Sequence, residues 1–372
     1  MKVVMVRSNS VNPDVRIEKE AKTLANAGYD VTILGWGRYG KKTVREESRS
    51  NYTIKRFQLR APWGNRVIFY LPFWWVFEFT WLIRNKWDIV HAADFDTFIP
   101  ALVAAKLKRK KIIYDIFDFS ADSFPPQSIL RSCIANLDIS LMRFVDALIV
   151  VDPSRLKQIK GENNPSIVII FNSPLEYQNL TDFELPSIEE HFKIFYAGIL
   201  SQDRDFKSII DITKNNKNIC LEIAGWGQYE IKFTELSSQV SNIKFIGTVP
   251  YDEVIRRTMQ SDLLFALYDP SVPNNRYASP NKLFEAMMCG KPILVSDKTA
   301  MADIVRDEKC GIVVPYGDVK VIKHALETLK DNPEYCKQLG ANGRRAYENK
   351  YSWDIMGEKL LTIYHFLISE RK

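Results

Sequence analysis

A lysine and a glutamate stand three residues apart in the segment SPNKLFEAMMCGKP, residues 279–292. Ser279 can cap a helix there, Pro280 suits the first helical position, and Gly290 ends the helix. Lys282 then falls in the first turn, where free N–H groups and the helix dipole favour an anion. Such a lysine could lie in solvent, pair with the glutamate, or neutralise an anionic ligand at the helix start.

The residues around Lys282 favour the ligand. Nearly all other positions of this helix are apolar, which indicates a helix buried on most sides with its polar side chains at the N-terminal end. A diphosphate would meet backbone N–H groups, the helix dipole and the lysine at that end. Glu285 could accept hydrogen bonds from vicinal hydroxyls of the same ligand.

Two further carboxylates follow a predicted strand in HAADFDTF, residues 91–98. Asp94 and Asp96 come at the end of the strand, where ligands bind in parallel sheets, and a carboxylate there could orient a reacting hydroxyl. Either residue could equally be the N-cap of the next helix. His91 lies within the strand and is predicted to be a hydrogen-bonded core residue.

The chain predicts an α/β protein with two Rossmann-like domains. Apolar, β-branched runs typical of buried parallel strands alternate with amphipathic segments. The predicted strands are KVVMV, YDVTILGW, WDIVHAA, KKIIYDIF, DALIVV and SIVIIF in the first half, and FKIFYAG, ICLEIAG, IKFIG, DLLFALY, KPILVS and CGIVVP in the second. DVRIEKEAKTLANAG, closed by Gly28, is typical of the helices between them. The predicted boundaries are an N-terminal domain over 1–174, joined by a C-terminal helix over 352–372, a linker over 175–191 and a C-terminal domain over 192–351.

Composition restricts the class of protein. The 372 residues include five scattered cysteines without a CxxC pair, which predict reduced core thiols in a cytosolic protein, and four dispersed histidines that do not suggest a metal site. The N-terminal MKVVMVRSNS is strand-like, so we expect no signal peptide. Residues 1–174 carry 26 Lys and Arg against 17 Asp and Glu, so this half should prefer an anionic partner other than nucleic acid.

The stretch RYASPNKLFEAMMCGKPILVSD resembles the donor-site motif of the GT-B glycosyltransferases of family 4, and FYAGILSQDRDFKSIIDI resembles the first strand, loop and helix of their donor domain. The resemblance extends over nearly the whole chain. It implies two domains facing an inter-domain cleft, with the C-terminal helix crossing back to the first domain. It also implies a retaining transfer from a nucleotide-diphosphate sugar to an acceptor hydroxyl, without an obligatory metal or other cofactor.

The resemblance implies roles for individual residues. Glu285 matches the second acid of the family's E-x7-E pattern, expected on the ribose hydroxyls. Lys282 and Arg204 match positions expected to neutralise the diphosphate, although Arg204 alone could be a surface arginine. The first acid of the pattern is replaced by Tyr277, so the donor sugar should be held differently. The residues expected to contact it through side chain or backbone are Tyr277, Ser279, Pro280 and Asn281.

The acceptor side departs from the family pattern. The histidine that many relatives carry after the "YD" strand is Phe117 here, and the usual glycine pair is absent from RSNSVNPDVR. Asp118, next to Phe117, could face the reacting sugar. We therefore expect Asp94 and Asp118 to be the catalytic residues, with the departing diphosphate able to take the acceptor's proton.

An aromatic stretch at 66–87, RVIFYLPFWWVFEFTWLIRNKW, holds several of the chain's tryptophans. Pro72 interrupts its uncharged run, which is too short to span a membrane. It could be an amphipathic helix packed on the sheet. It could also lie at a membrane surface, with Trp74 and Trp75 contacting lipid or acceptor beside the basic run KLKRKK at 106–111.

The sequence thus predicts a glycosyltransferase that acts in the cytoplasm, peripherally on the inner membrane face, on a glycan or lipid-linked acceptor. A nucleotide-sugar epimerase of the same fold would instead convert its donor without an acceptor. A catalytically silent partner subunit would bind nucleotide and never release it from a donor. A nicotinamide oxidoreductase is disfavoured because no strand is followed by G-x-G-x-x-G.

Overall fold

A computed structural model of the chain describes residues 1–38, 44–62, 64–124, 127–159, 166–177 and 191–369. The chain forms two compact units, one of residues 1–171 with 356–372 and one of residues 172–355. Most of the predicted linker, 178–190, lies outside the described residues. Its beginning packs within the second unit, where the Arg344 guanidinium donates to the Glu176 carboxylate at 3.0 Å.

An eight-stranded sheet forms the first unit. Its strands are β1 (Lys2–Arg7), β2 (Asp30–Trp36), β3 (Glu46–Ser48), β4 (Tyr52–Phe57), β5 (Ile89–Ala93), β6 (Lys111–Ile116), β7 (Ala147–Val150) and β8 (Ile167–Ile169). Their order is β3-β4-β2-β1-β5-β6-β7-β8, and all pairs are parallel except β3 with β4. Because β2 and β5 flank β1, strand order reverses at β1, which is where ligands bind in such sheets.

Six helices complete the first unit. They are α1 (Val15–Asn26), α2 (Leu71–Arg84), α3 (Phe95–Lys108), α4 (Ile129–Met142), α5 (Arg155–Ile159) and the C-terminal helix α14 (Trp353–Ser369), most of which belongs to this unit. The Asp14 carboxylate caps α1 by accepting from Ile17 N–H, and Gly28 follows at φ +89°. Short 3-10 segments cover Gly64–Phe69 and Ser120–Ser123.

The second unit has a parallel sheet in the order β11-β10-β9-β12-β13-β14. Its strands are β9 (Phe192–Leu200), β10 (Ile219–Gly227), β11 (Ile243–Phe245), β12 (Leu263–Ala266), β13 (Ile293–Ser296) and β14 (Gly311–Val314). Its helices are α6 (Phe206–Lys214), α7 (Glu230–Gln239), α8 (Tyr251–Met259), α9 (Pro273–Arg276), α10 (Asn281–Met288), α11 (Ala300–Glu308), α12 (Val319–Asp331) and α13 (Pro333–Ala346), the last continued by a π-helical turn over Tyr347–Tyr351. The strand order reverses at β9.

Every predicted strand is present, and the α/β class with two Rossmann-like sheets is confirmed. Strands β3 and β4 were not predicted, because polar residues interrupt their apolar pattern. In β4 the inward positions are Tyr52, Ile54 and Arg56. The buried Arg56 guanidinium pairs with Glu47 at 2.7 Å, so a cation occupies a position where the pattern would show a hydrophobic residue.

Each sheet has its own hydrophobic core. Trp36, Trp74 and Phe98 belong to the core of the first unit, and Phe206 and Phe233 to that of the second. Within the described part of the chain, no helix combines the length and the apolar character needed to cross a membrane.

Candidate active site

The start of α10 differs from the prediction in one respect. Pro280 takes extended backbone angles, φ −74° and ψ 142°, and is itself the N-cap, so Asn281 is the first helical residue. Ser279 therefore does not cap the helix, and its buried hydroxyl has no hydrogen-bond partner among the described residues. Since no described side chain caps α10, the N–H groups of Asn281 and Lys282 are left for a ligand, whereas that of Leu283 donates to the Pro280 carbonyl at 3.1 Å.

Lys282 lies inside the second unit rather than in solvent, with only 6% of its surface exposed. Its ammonium nitrogen is 3.5 Å from the centre of the Tyr196 ring and 5.4 Å from that of Tyr268. A β-carbon added to Gly198 in strand β9 would come within 3.3 Å of the same nitrogen. The lysine thus crosses from α10 to the carboxyl end of β9, where the strand order of the sheet reverses.

Lys282 and Glu285 form no ion pair with each other in the described structure, which removes one of the alternatives considered for the lysine. Glu285 is 5% exposed and accepts a hydrogen bond from the hydroxyl of Tyr251, the first residue of α8. Burial followed by this carboxylate raises the pKa of Tyr251. The lysine is left with aromatic faces as its neighbours.

Arg204 follows β9 and contacts the same aromatic ring as Lys282, that of Tyr268. Its guanidinium lies 3.5 Å from the centre of the Tyr268 ring and donates to the Asn275 side-chain oxygen at 2.7 Å. It also pairs with the Asp203 carboxylate, which accepts from Asn275 at 2.8 Å. The arginine is therefore held in place, with its side chain 14% exposed, and the prediction that it could be a free surface residue is wrong.

Two cations share this site, and among the described residues only Arg204 has a carboxylate partner. The pKa of Lys282 is held well below its usual range, first because burial removes the ammonium from water and then because Arg204 repels it. Glu285 opposes this shift only in part. A bound anion would restore the charge of the lysine, and a diphosphate offers enough oxygens to contact both cations and the helix start.

The remaining predicted donor residues lie around α10. Tyr277 ends α9 and is half-buried, while Pro280 and Asn281 begin α10 and are also half-buried. The Ser279 carbonyl accepts from the Asn172 side chain at 2.8 Å. These residues therefore flank Lys282 along the chain, but the described structure gives none of them a chemical role of its own.

Glycines in β9 and β10 allow the two strands to approach closely. A β-carbon on Gly225 would lie 1.8 Å from the Gly198 carbonyl oxygen, and one on Gly227 would lie 2.6 Å from that of Leu200. The G-x-G of AGWG is thus required by the close packing of the two strands. The positive φ of Gly198, +148°, belongs to the strand end that receives Lys282.

In the first unit, Asp94 follows β5 and connects two loops. One carboxylate oxygen accepts the N–H groups of Phe117 and Asp118 at 2.9 and 3.1 Å, and the other pairs with Arg7 at the end of β1. Asp94 occupies the N-cap position of α3, but its side chain does not cap that helix. Its φ of +66° is unusual for a residue other than glycine, and such strain is concentrated at functional sites.

Burial raises the pKa of Asp94 to about 6, although Arg7 opposes the shift. The charges of Asp96 and Asp118 raise it further. Asp118 itself is exposed, with 67% of its side chain accessible, and its carboxylate is 3.5 Å from Arg155. Of the two predicted catalytic aspartates, Asp94 is therefore fixed and partly buried, with 14% of its side chain exposed, and Asp118 faces solvent.

Asp96 lies in the first turn of α3 and accepts a hydrogen bond from the Ser8 hydroxyl after β1. Its second carboxylate oxygen is buried without a partner among the described residues. Arg38 donates to the same serine at 3.0 Å. Ser8 and Arg7 were not singled out in the sequence, although their position directly after an apolar strand was a usable signal.

Phe117 stands between two guanidinium groups, 4.4 Å from Arg7 and 4.7 Å from Arg16 measured to the ring centre. An aromatic ring at this position is stabilised by these cations, whereas a protonated histidine would be repelled by them. Phe117, at the position where many relatives carry a histidine, therefore suits the two guanidinium groups around it.

His91 is a buried core residue, as predicted. Its ring nitrogens contact the Tyr364 hydroxyl of α14 at 2.9 Å and the Asp115 carboxylate at 3.4 Å. Glu20, His91 and Asp115 lie close enough together to surround a metal ion. The dispersed positions of the histidines in the sequence did not suggest this cluster. The Arg16 guanidinium, however, contacts Asp115 at 3.0 Å and Glu20 at 3.1 Å, and so already supplies the cluster with a positive charge.

The prediction that Trp74 contacts membrane or acceptor is wrong. Trp74 is fully buried and stacks on Trp36, with ring centres 5.8 Å apart and planes 5° from parallel. Trp75 is half-buried and donates to the Asp96 carbonyl at 2.8 Å. Helical spacing explains the error, because Trp74, Glu78 and Leu82 share the inward face of α2.

The basic run at 106–111 is largely used inside the first unit. Lys108 donates to the Leu82 and Ile83 carbonyls at 3.0 and 3.2 Å at the end of α2, and Lys110 and Lys111 pair with aspartates at 3.0 and 3.1 Å. All five cysteines are unpaired as predicted, but Cys133 is exposed, and of the five only Cys310 is buried.

Comparison with known proteins agrees with this architecture. Residues 15–173 match the model of the family described as Glycosyltransferase Family 4, and residues 178–346 match that of the Glycosyl transferases group 1. A GDP-mannose-dependent monoacylated alpha-(1-6)-phosphatidylinositol monomannoside mannosyltransferase from Corynebacterium glutamicum is 30% identical over 167 residues. That match spans 44% of this chain and 43% of the relative, less than half of its length.

Two solved structures share the fold over nearly the whole chain. Sucrose-phosphate synthase from Thermosynechococcus elongatus has a TM-score of 0.82 at 12% identity and covers 100% of both chains. The Anabaena protein HepE, solved in complex with UDP, has a TM-score of 0.74 at 12% identity and covers 98% of this chain and 100% of that one. With both halves matched by family models and the fold shared from end to end, this chain belongs to the family-4 glycosyltransferases of the GT-B fold.

Proposed function

We propose that this protein transfers a sugar, with retention of configuration, from a nucleotide-diphosphate sugar to an acceptor hydroxyl carried by a lipid-linked glycan. The observation that carries the proposal is Lys282, a buried ammonium for which the described part of the chain supplies no carboxylate partner, held beside Arg204 at the start of α10. Desolvating a cation is costly unless a partner compensates for it. The diphosphate of the donor is that partner.

In this proposal the two cations stabilise the departing nucleotide diphosphate as negative charge develops on its leaving oxygen. They supply the positive charge that a divalent metal would otherwise provide, so the mechanism needs no obligatory metal. Glu285, fixed by Tyr251, accepts hydrogen bonds from the ribose hydroxyls. The backbone of Ser279 to Asn281 contacts the donor sugar, with Tyr277 beside it in place of an acid.

On the acceptor side, Asp94 orients the attacking hydroxyl. Its pKa of about 6 leaves it mostly ionised at neutral pH, so it can accept a hydrogen bond from that hydroxyl without binding its proton tightly. The proton can pass to the departing diphosphate. Asp118, exposed at the end of the loop that Asp94 holds, contacts the acceptor from solvent.

Two observations support a lipid-linked acceptor at the cytoplasmic face of a membrane. The corynebacterial relative is named for a phosphatidylinositol mannoside acceptor. The first unit also carries exposed apolar residues beside an excess of basic ones, including Phe69 at 75% and Val76 at 66% exposure. An anionic lipid surface is complementary to such a surface.

The experiment is transfer of radioactive sugar from UDP- and GDP-linked donors to a membrane lipid extract. We expect label in the lipid phase with the wild type and a loss of at least about tenfold with Lys282→Met, as loss of a charged phosphate contact implies. Lys291→Met is the matched control, because Lys291 is half-buried and lines a separate cavity, opposite the carboxyl end of the sheet. Release of free nucleotide without labelled lipid would contradict the acceptor class, and conversion of the donor to an epimer would contradict the transfer itself.

A further inference from the structure

An apolar groove runs along the outward side of α2 and is not used by the proposed catalytic groups. It encloses about 530 Å³ and is lined mainly by four aromatic side chains and a valine, with an arginine towards the C-terminal end of α2; these residues are Phe57, Phe73, Val76, Phe77, Trp81 and Arg84. The rings of Phe57 and Phe77 stack at 4.9 Å and form its inner wall. Its outer edge is open, since Phe73 is 60% and Val76 is 66% exposed.

Helical spacing continues this apolar surface beyond the groove. Phe69 precedes α2, and Phe73, Val76 and Ile83 follow at intervals that place them on one side of the helix. All four are exposed in the first unit. A contiguous exposed apolar stripe of this kind marks a surface that another molecule covers.

Charge identifies the kind of molecule. Between residues 58 and 87 the chain carries four cations, Arg60, Arg66, Arg84 and Lys86, all exposed and none in an ion pair with a described residue. The only acid in this stretch is Glu78, which is fully buried on the inward face of α2. Burial, together with Asp96, raises its pKa well above the usual range, so it contributes little negative charge. The stripe is therefore aromatic and cationic, which is typical of segments that bind an anionic membrane surface.

We propose that the groove along α2 binds one hydrocarbon chain of an anionic membrane lipid, whose phosphate is contacted by Arg84. This inference deepens the membrane part of the proposed function and rests on it. The groove accepts the chain between its aromatic walls, and the arginine at one end fixes the headgroup.

A second copy of the same chain fits the groove less well. In a symmetric dimer the same stripe would face itself, so the four cations of one copy would oppose those of the other. Like charges placed together across an interface are repelled, whereas a lipid phosphate is attracted. The charge pattern thus favours the lipid.

The test is calorimetric titration of decyl phosphate, kept below its critical micelle concentration, into the wild-type protein. Inorganic phosphate and decyl maltoside serve as headgroup-only and chain-only probes. Three groove variants are compared: Val76→Asp places a charge at the open edge, Thr80→Trp fills the groove, and Arg84→Gln removes the cation. Leu107→Ser on α3 is the matched control, because Leu107 is equally exposed at 66% but does not line the groove.

We expect decyl phosphate to bind the wild type and Leu107→Ser alike, and to bind Val76→Asp and Thr80→Trp at least about tenfold more weakly. Arg84→Gln should weaken decyl phosphate and leave decyl maltoside unchanged, and inorganic phosphate alone should not bind measurably. Absence of decyl phosphate binding, or equal binding by the filled groove, would overturn the inference. A dimer that Val76→Asp dissociates, without lipid binding, would identify a second copy as the occupant instead.

Failure here can be distinguished from failure of the proposed function. The groove variants should retain nucleotide binding at the second unit, and Lys282→Met should retain decyl phosphate binding. If the wild type binds nucleotide but not decyl phosphate, the groove inference is wrong. If it binds decyl phosphate but not nucleotide, the proposed donor site is wrong.

Discussion

Replacing Lys282 by methionine tests the most unusual electrostatic feature of the second unit. In the free protein, burial and then Arg204 hold the pKa of Lys282 well below its usual range. A bound diphosphate would raise that pKa, so nucleotide binding should take up a proton in the pH interval between the two values. Affinity should then fall as pH rises through this interval, by up to about 1.4 kcal/mol, or tenfold, per pH unit.

The assay is titration calorimetry of UDP and GDP in two buffers that differ in ionisation enthalpy, repeated over a range of pH. The wild type should take up as much as one proton on binding, whereas Lys282→Met should bind more weakly and lack the part of the proton uptake due to this lysine. Lys291→Met should behave as the wild type, because its lysine lines a separate cavity. Equal proton uptake by the wild type and Lys282→Met would refute the reasoning.

The same substitution makes a second, independent prediction for the protein without ligand. Because the folded pKa of Lys282 is depressed, the unfolded chain binds a proton that the folded chain gives up. The free energy of unfolding should therefore rise with pH up to the usual lysine pKa of about 10.4. Lys282→Met removes this contribution and should be more stable than the wild type at neutral pH, as judged by denaturant unfolding. A variant that is less stable at neutral pH would contradict the desolvation argument.

Three further substitutions test the scaffold. Trp74→Ser should lower the free energy of unfolding by about 3–5 kcal/mol, because the ring is fully buried. Phe73→Ser, on the outward face, should change it by less than about 0.5 kcal/mol. Equal values for the two variants in denaturant titrations would contradict the placement of α2. Gly225→Ala should prevent folding or lower the stability several times more than Gly247→Ala does. An added β-carbon would lie 1.8 Å from a carbonyl oxygen at Gly225 and would have no neighbour within 4 Å at Gly247. Comparable thermal midpoints for the two variants would contradict the close packing of β9 on β10. Burial raises the pKa of Asp138 to about 8, so the free energy of unfolding should fall as pH rises from about 4 to 8. Asp138→Asn should reduce this pH dependence in thermal melts. An unchanged pH dependence would contradict the raised pKa.

The parallel strands of both sheets were predictable because buried parallel strands have continuous apolar sequences. All the apolar runs predicted as strands form strands. The antiparallel edge, β3 with β4, was not predictable in this way. Its buried Arg56 pairs with Glu47 and donates hydrogen bonds to carbonyl oxygens that are distant in sequence. A local sequence pattern cannot predict partners of this kind.

The candidate site was predictable in its residue types but not in its contacts. The spacing of Lys282 and Glu285 pointed to a ligand, yet the aromatic faces of Tyr196 and Tyr268 that replace an acid partner come from strand β9 and from the segment that follows β12. Asn275, which holds Arg204, carried no signal at all. Trp74 was assigned to the wrong face of α2 because composition reports how many aromatic residues a helix has, whereas helical phase decides which of them are buried.

The central claim is that the nucleotide diphosphate of a sugar donor binds between α10 and the end of β9. The most direct measurement is the affinity of UDP and GDP for the wild type, Lys282→Met, Arg204→Gln and Lys291→Met at one pH near neutrality. We predict that one of the two nucleotides binds the wild type and Lys291→Met equally, and binds the other two variants at least about tenfold more weakly, as loss of a charged phosphate contact implies. Binding that is unaffected by Lys282→Met and Arg204→Gln, or no binding of either nucleotide to the wild type, would contradict the account.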